Sequence, residues 1–82
     1  MEPIIIKRNG NWTSGHIGPF QFEIKHFDQP SQFGIDGGRI SKLWLAWIES
    51  YGVVANYDRG WDVLPGFDEA WDAVDALCTL WN

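Results

Sequence analysis

The sequence predicts an α+β domain in which an antiparallel sheet of about four strands is packed by one C-terminal amphipathic helix. Three observations predict it. Residues Phe20 to His26 alternate apolar and polar with the period of a half-buried strand. Glycine- and proline-containing pairs such as Asn9-Gly10, Gly18-Pro19 and Pro65-Gly66 break the chain at short intervals, as hairpins require. The segment after Pro65-Gly66 carries an apolar stripe at helical spacing instead.

The elements follow in order. Ile4-Ile5-Ile6-Lys7-Arg8 is β-branched and short, and Asn9-Gly10 after it is the dipeptide best suited to a type I′ hairpin turn, so a returning strand through Trp12 is expected. Ser14-Gly15 and Gly18-Pro19 punctuate the chain before the next run. There Phe20, Phe22, Ile24 and His26 share one face, and Gln21, Glu23 and Lys25 the other. Asp28-Gln29-Pro30-Ser31 and Gly34-Ile35-Asp36-Gly37-Gly38 read as loop and turn.

Ile40 to Ile48 is apolar on both faces, with Leu43, Leu45 and Trp47 on one and Trp44, Ala46 and Ile48 on the other. That is the pattern of a central strand or of one covered twice. A helix fits the same composition, but Gly37-Gly38 before it and Glu49-Ser50-Tyr51-Gly52 after it favour a strand. Val53 to Leu64 then reads as its hairpin partner. Tyr57, Arg59 and Trp61 fall on one face, Asp58 and Asp62 on the other, and Gly60 marks a bulge or a close backbone approach. Beyond Pro65-Gly66, residues Phe67, Ala70, Trp71, Val74, Leu77, Cys78 and Trp81 form the helical stripe. Asp68, Glu69, Asp72 and Asp75 lie off it, toward the N-terminal end where the helix dipole favours acids.

With 82 residues the chain has room for one core, so residues 1–82 are expected to be a single domain. Cys78 is its only cysteine and no intrachain disulfide can form. Six Trp, five Phe and two Tyr supply the burial that a staple would otherwise supply. No apolar run approaches the roughly 18–20 residues of a membrane-spanning helix, and the first residues lack the basic and apolar pattern of a secretory leader. A cytoplasmic protein without membrane contact is therefore expected, in which Asn11-Trp12-Thr13 has no meaning as a glycosylation acceptor.

The net charge of −5 is unevenly spread. Residues 1–42 are near neutral, whereas residues 43–82 set Arg59 alone against Glu49, Asp58, Asp62, Asp68, Glu69, Asp72 and Asp75. Such a field repels phosphate backbones and attracts basic surfaces, so direct nucleic-acid binding is disfavoured and a basic protein partner favoured.

Catalytic groupings are sparse. His16, His26 and Cys78 fall short of the paired spacings of a zinc site, so no metal and no cofactor is expected. Cys78 sits on the apolar helix stripe, where a buried thiol acts as a small hydrophobe; a nucleophilic Cys–His pair would need a histidine brought beside it. Gly34-Ile35-Asp36-Gly37-Gly38 lacks the phosphate-loop pattern and precedes a strand, so it reads as a turn. The densest polar and aromatic cluster is Tyr57-Asp58-Arg59-Gly60-Trp61-Asp62. It reads either as core aromatics covered by Arg59 or as a recognition surface, because Tyr, Trp and Arg dominate interface hot spots. The acids Asp68, Glu69, Asp72 and Asp75 read either as a solvated helix face or as a docking surface for a basic partner.

At Gly34-Ile35-Asp36-Gly37-Gly38-Arg39-Ile40-Ser41-Lys42-Leu43 and at Tyr57-Asp58-Arg59-Gly60-Trp61-Asp62 the chain resembles a family of small uncharacterised proteins of Gram-positive bacteria and their phages, over roughly residues 12–80. The resemblance carries no activity and no catalytic residue. It implies a stand-alone intracellular protein, and in that setting small acidic domains such as anti-CRISPR proteins act by occupying a site on a larger host protein. The expected function is accordingly a non-enzymatic protein-binding module, an inhibitor that uses Tyr57, Asp58, Arg59, Trp61, Asp62, Asp68, Glu69, Asp72 and Asp75 to engage a basic, nucleic-acid-handling host protein. Two alternatives stand beside it: a homodimeric structural protein that buries surplus Trp surface, and a small enzyme using His16 or His26.

Overall fold

Alternation and turn chemistry build a meander. The computed structural model describes residues 1–81. Among them β1 (Ile4–Asn9), β2 (Trp12–Ile17), β3 (Phe20–His26), β4 (Ile40–Trp47), β5 (Val53–Asp58) and β6 (Trp61–Val63) form one antiparallel sheet in chain order, and the helix α1 (Asp68–Trp81) follows. The α+β class and the C-terminal helix are as expected; the sheet has six strands, not about four. The largest departure lies at Val53 to Leu64, which is a hairpin and not one strand. Arg59 takes a φ of +57° beside Gly60, the chain reverses, and Tyr57 pairs with Trp61 across the turn. Alternation runs unbroken through that turn in the sequence because a left-handed Arg has no compositional signature.

The first hairpin forms where expected but with a different turn. Asn9 pairs with Trp12, so Gly10 and Asn11 occupy the corner, and only Gly10 has positive φ, at +62°. A type I′ turn needs two such residues, so this corner belongs to another class. The next hairpin closes at Gly18-Pro19, with Gly18 at φ +54°.

Register sorts the side chains into two faces. On the inner face Thr13, Ile24, Leu43 and Tyr57 form one rung, Gly15, Phe22, Leu45 and Ala55 the next, and Ile17, Phe20 and Trp47 the last. Almost all of these are buried, and α1 closes over them with Ala70, Ala73, Val74, Leu77 and Trp81. Ile35, in a 3-10 turn at Ile35–Gly37, joins the same core. The helical stripe is thus rotated from the expected one. Ala73 enters it, while Phe67 and Trp71 stay partly exposed at its rim, Phe67 stacked on Trp47 with centroids 5.7 Å apart and Trp71 edge-on to Trp61 at 5.5 Å. At the other end the Arg39 Nε–H donates to the Trp81 carbonyl, a cation at the negative pole of the helix. No described helix is long and apolar enough to cross a membrane.

Candidate functional site

The strand positions that point away from α1 make the second face, and no helix covers it. Its rungs are Trp12, Lys25, Lys42 and Asp58, then Ser14, Glu23, Trp44 and Asn56, then His16, Gln21 and Ala46. Trp12 is 37 % exposed near one side of the sheet, and Trp44 lies half-buried on the strand between β3 and β5. Between them is a shallow hollow of about 430 Å³, bordered by Glu23, Lys42, Asn56 and Asp58. Smaller depressions continue it. One reaches Lys7 and Asn9 beside Trp12, and another lies among Ile6, His16, Gln21 and Trp44.

Charge on this face is mixed and partly paired. The Lys42 ammonium lies 3.7 Å from the Asp58 carboxylate, and Arg59 Nε lies 3.9 Å from the same oxygen. Both contacts are solvent-exposed and contribute little stability. The Lys25 ammonium stands 5.8 Å from the Trp12 ring centroid and 5.4 Å from that of Phe27, which holds the Trp12 indole against a cation. Beyond Lys25 the exposed rings of Phe27 and Phe33 line a further hollow with Lys42 and Arg59. Indoles, cations, carboxylates and amides therefore share one open surface.

The structure separates the residues that the sequence grouped into one partner site. Tyr57 is only 7 % exposed and its hydroxyl donates to the Phe33 carbonyl at 2.9 Å. Burial, with Asp36 and Cys78 nearby, raises its pKa, and the residue packs within the core cluster. Trp61 also faces inward, half-buried edge-on against Tyr57 at 5.0 Å. Arg59 sits in the turn and does not share their face, which corrects the expected Tyr57, Arg59, Trp61 array. Asp58 belongs to the open face, and Asp62 is exposed on the edge strand β6. Asp68, Glu69, Asp72 and Asp75 line the solvent side of α1, across the sheet from the Trp12 and Trp44 hollow, and none forms an ion pair with another described residue.

The groups considered for chemistry are also apart. His16 lies on the open face, whereas His26 lies on the inner side, bonded through Nε2 to the Thr13 hydroxyl at 2.8 Å and packed on Trp81. Burial, together with Arg8 and Arg39 and against the opposing pull of Asp28, holds the His26 pKa below its ordinary value. Cys78 is pushed up to about 11 by burial and by Asp36 and Asp75, so it is a thiol and a weak nucleophile at neutral pH. Among the described residues no group of three or more His, Cys, Asp or Glu is placed to hold a metal ion.

Trp12, Glu23, Lys42, Trp44 and Asn56, which border the hollow, lie outside the partner-binding set expected from the sequence. Their signal is present in the same alternation that marks the core: Glu23 and Lys25 oppose Phe22 and Ile24, and Trp44 opposes Leu43 and Leu45. What the sequence withholds is that α1 covers only one of the two faces.

A family described as a domain of unknown function, DUF7678, matches residues 11–82, and the chain belongs to that family. The match takes in β2 to α1 and begins beyond β1. No curated protein and no solved structure matches the chain.

Proposed function

We propose that this family member is a non-enzymatic protein-binding module whose recognition surface is the open face of the sheet. The observation that carries the reading is the pair Trp12 and Trp44, two indoles on a face that the protein's own helix leaves uncovered, bordering one hollow with Glu23, Lys42, Asn56 and Asp58. Trp side chains in depressions ringed by polar groups are what interface hot spots consist of. Charges of both signs around them, Lys7, Lys25 and Lys42 with Glu23 and Asp58, set the register of a partner more than its affinity.

A second reading keeps recognition on α1, where Asp68, Glu69, Asp72 and Asp75 form an exposed acidic face without internal ion pairs. That face suits a basic surface on a larger host protein, in the manner of a phage-borne, anti-CRISPR-like inhibitor acting in the cytoplasm. Capture from host lysate with three proteins distinguishes the two readings: the wild type, Trp12→Ala, and a variant with the four helix acids replaced by their amides. Retention lost with Trp12→Ala and kept by the amide variant supports the open face. The reverse pattern, with binding that falls steeply as salt rises, supports the acidic helix.

A further inference from the structure

We propose that the hollow at the Phe27 end of the open face takes an acidic peptide segment of the partner, a carboxylate flanked by apolar side chains. The inference rests on the open-face reading above and gives that partner a sign of charge. Lys25, Lys42 and Arg59 line this hollow of about 320 Å³ together with Phe27, Phe33 and Ser31, and among the described residues no carboxylate lines it. Asp58 stands beside it and is shared. One of its oxygens lies 3.7 Å from the Lys42 ammonium and 3.9 Å from Arg59 Nε, while Lys25 forms no ion pair with a described residue. Exposed pairs of that length are weak, so both cations keep donors for an incoming carboxylate. Three cations against one carboxylate make this hollow positive on a chain whose net charge is −5.

The walls are built in advance. Lys25 pairs with Lys42 but His26 with Ile40, so Ser41 is an extra residue and β4 bends there. The Arg59 N–H donates to the Ser41 carbonyl at 3.0 Å, which ties the β5–β6 turn to the bulge and brings Arg59 to the rim. The Phe33 N–H donates to Ser31 Oγ at 3.1 Å, and the Phe33 carbonyl accepts from the Tyr57 hydroxyl at 2.9 Å, yet Phe33 remains 50 % exposed. The Phe27 N–H donates to the Arg39 carbonyl at 3.1 Å, and Phe27 remains 40 % exposed. A fixed backbone that leaves its rings in water lowers the ordering cost of binding. Charge placement then selects a peptide over a nucleic-acid strand. A strand is charged at every phosphate and would have to pass Glu23 and Asp58 on the same face. A peptide can set one carboxylate at the cations and its apolar side chains on Phe27 and Phe33. Past Lys42, which lines both hollows, the same segment reaches Trp12 and Trp44.

Chemical-shift titration of isotope-labelled wild type tests this with three unlabelled probes: a short capped peptide alternating glutamate and phenylalanine, the same peptide with lysine for glutamate, and oligothymidylate. The expected result is saturable shifts at the Phe27, Phe33 and Arg59 amides with the glutamate peptide alone, with an affinity that falls as salt rises. Arg59→Gly suits the left-handed turn, so it keeps the fold while removing the guanidinium, and it should weaken that peptide about tenfold. Lys25→Glu should weaken it further. Binding of the lysine peptide or of oligothymidylate at the same amides, no shift with any probe, or an affinity indifferent to Arg59→Gly overturns the proposal. So do shifts at those amides that follow protein concentration without a probe, which would assign the hollow to a second copy of this chain. Silent peptides with capture still lost on Trp12→Ala overturn this inference alone; capture kept by Trp12→Ala overturns the open-face reading itself.

Discussion

The two faces of the sheet come from alternate residues of the same strands, yet they have opposite fates. Phe22, Leu45 and Ala55 lie on one rung of the inner face and are sealed by α1. Glu23, Trp44 and Asn56, their immediate neighbours in sequence, look outward to solvent around a hollow. One helix of fourteen residues covers one side of a six-stranded sheet. The tryptophans divide between the two faces accordingly. Trp81 is buried in the core and Trp47 and Trp61 pack against it, while Trp12 and Trp44 remain on the open side. Stability is concentrated on the covered face, and the recognition we propose lies on the bare one.

The sharpest break of that contrast is Phe22→Ala. Phe22 is 2 % exposed and contacts Trp81 edge-on, so truncation should cost about 3–5 kcal/mol in urea unfolding. A loss under ~1 kcal/mol would mean the inner face is not close-packed. Thiol chemistry probes the same face without mutation. Because Cys78 is raised from 9.0 to about 11, alkylation near neutral pH should run about 100-fold slower in folded than in urea-unfolded protein, each pKa unit being a tenfold loss of thiolate. Equal rates would place the thiol in solvent.

On the bare face, Trp12→Ala should change stability by about 1 kcal/mol or less, because the indole is partly exposed and lacks a helix above it. A cost as large as that of Phe22→Ala would erase the distinction between the faces. The smallest expected effect is the pH dependence at His26. Its folded pKa lies below 6.5, so its contribution is complete above that value. As pH falls past 6.5 the unfolded chain takes up the proton first, and stability drops until the lowered folded pKa is reached. Wild-type protein should therefore lose more stability than His26→Gln between about pH 7 and about pH 5. Parallel curves would show that His26 titrates alike in both states.

Much of this was legible in the sequence. The alternation from Phe20 to His26, the two-sided apolar run at Ile40 to Ile48, of which Ile40–Trp47 is strand, and the helical stripe ending at Trp81 each yielded the right element, and the faces of β4 fell as expected. The hairpin at Arg59 was hidden because alternation continues through it and the turn needs a left-handed Arg. The candidate site was less legible for a different reason. Tyr57 and Trp61 look like hot-spot residues by type, but Tyr57 points into the core and Trp61 packs half-buried against it, a matter of which face the helix selects and not of composition. The charge split between the halves of the chain likewise averaged over a surface on which Lys7, Lys25 and Lys42 gather opposite the acidic helix.

The central claim, that the open face is where a partner binds, is tested most directly by following the tryptophan indole N–H resonances as the captured partner is titrated in. The six indoles report from both faces at once. Shifts or broadening at Trp12 and Trp44, with Trp71 beside the acidic side of α1 left in place, are the predicted result. Perturbation of Trp71 with Trp12 and Trp44 unmoved would contradict it and assign recognition to the helix.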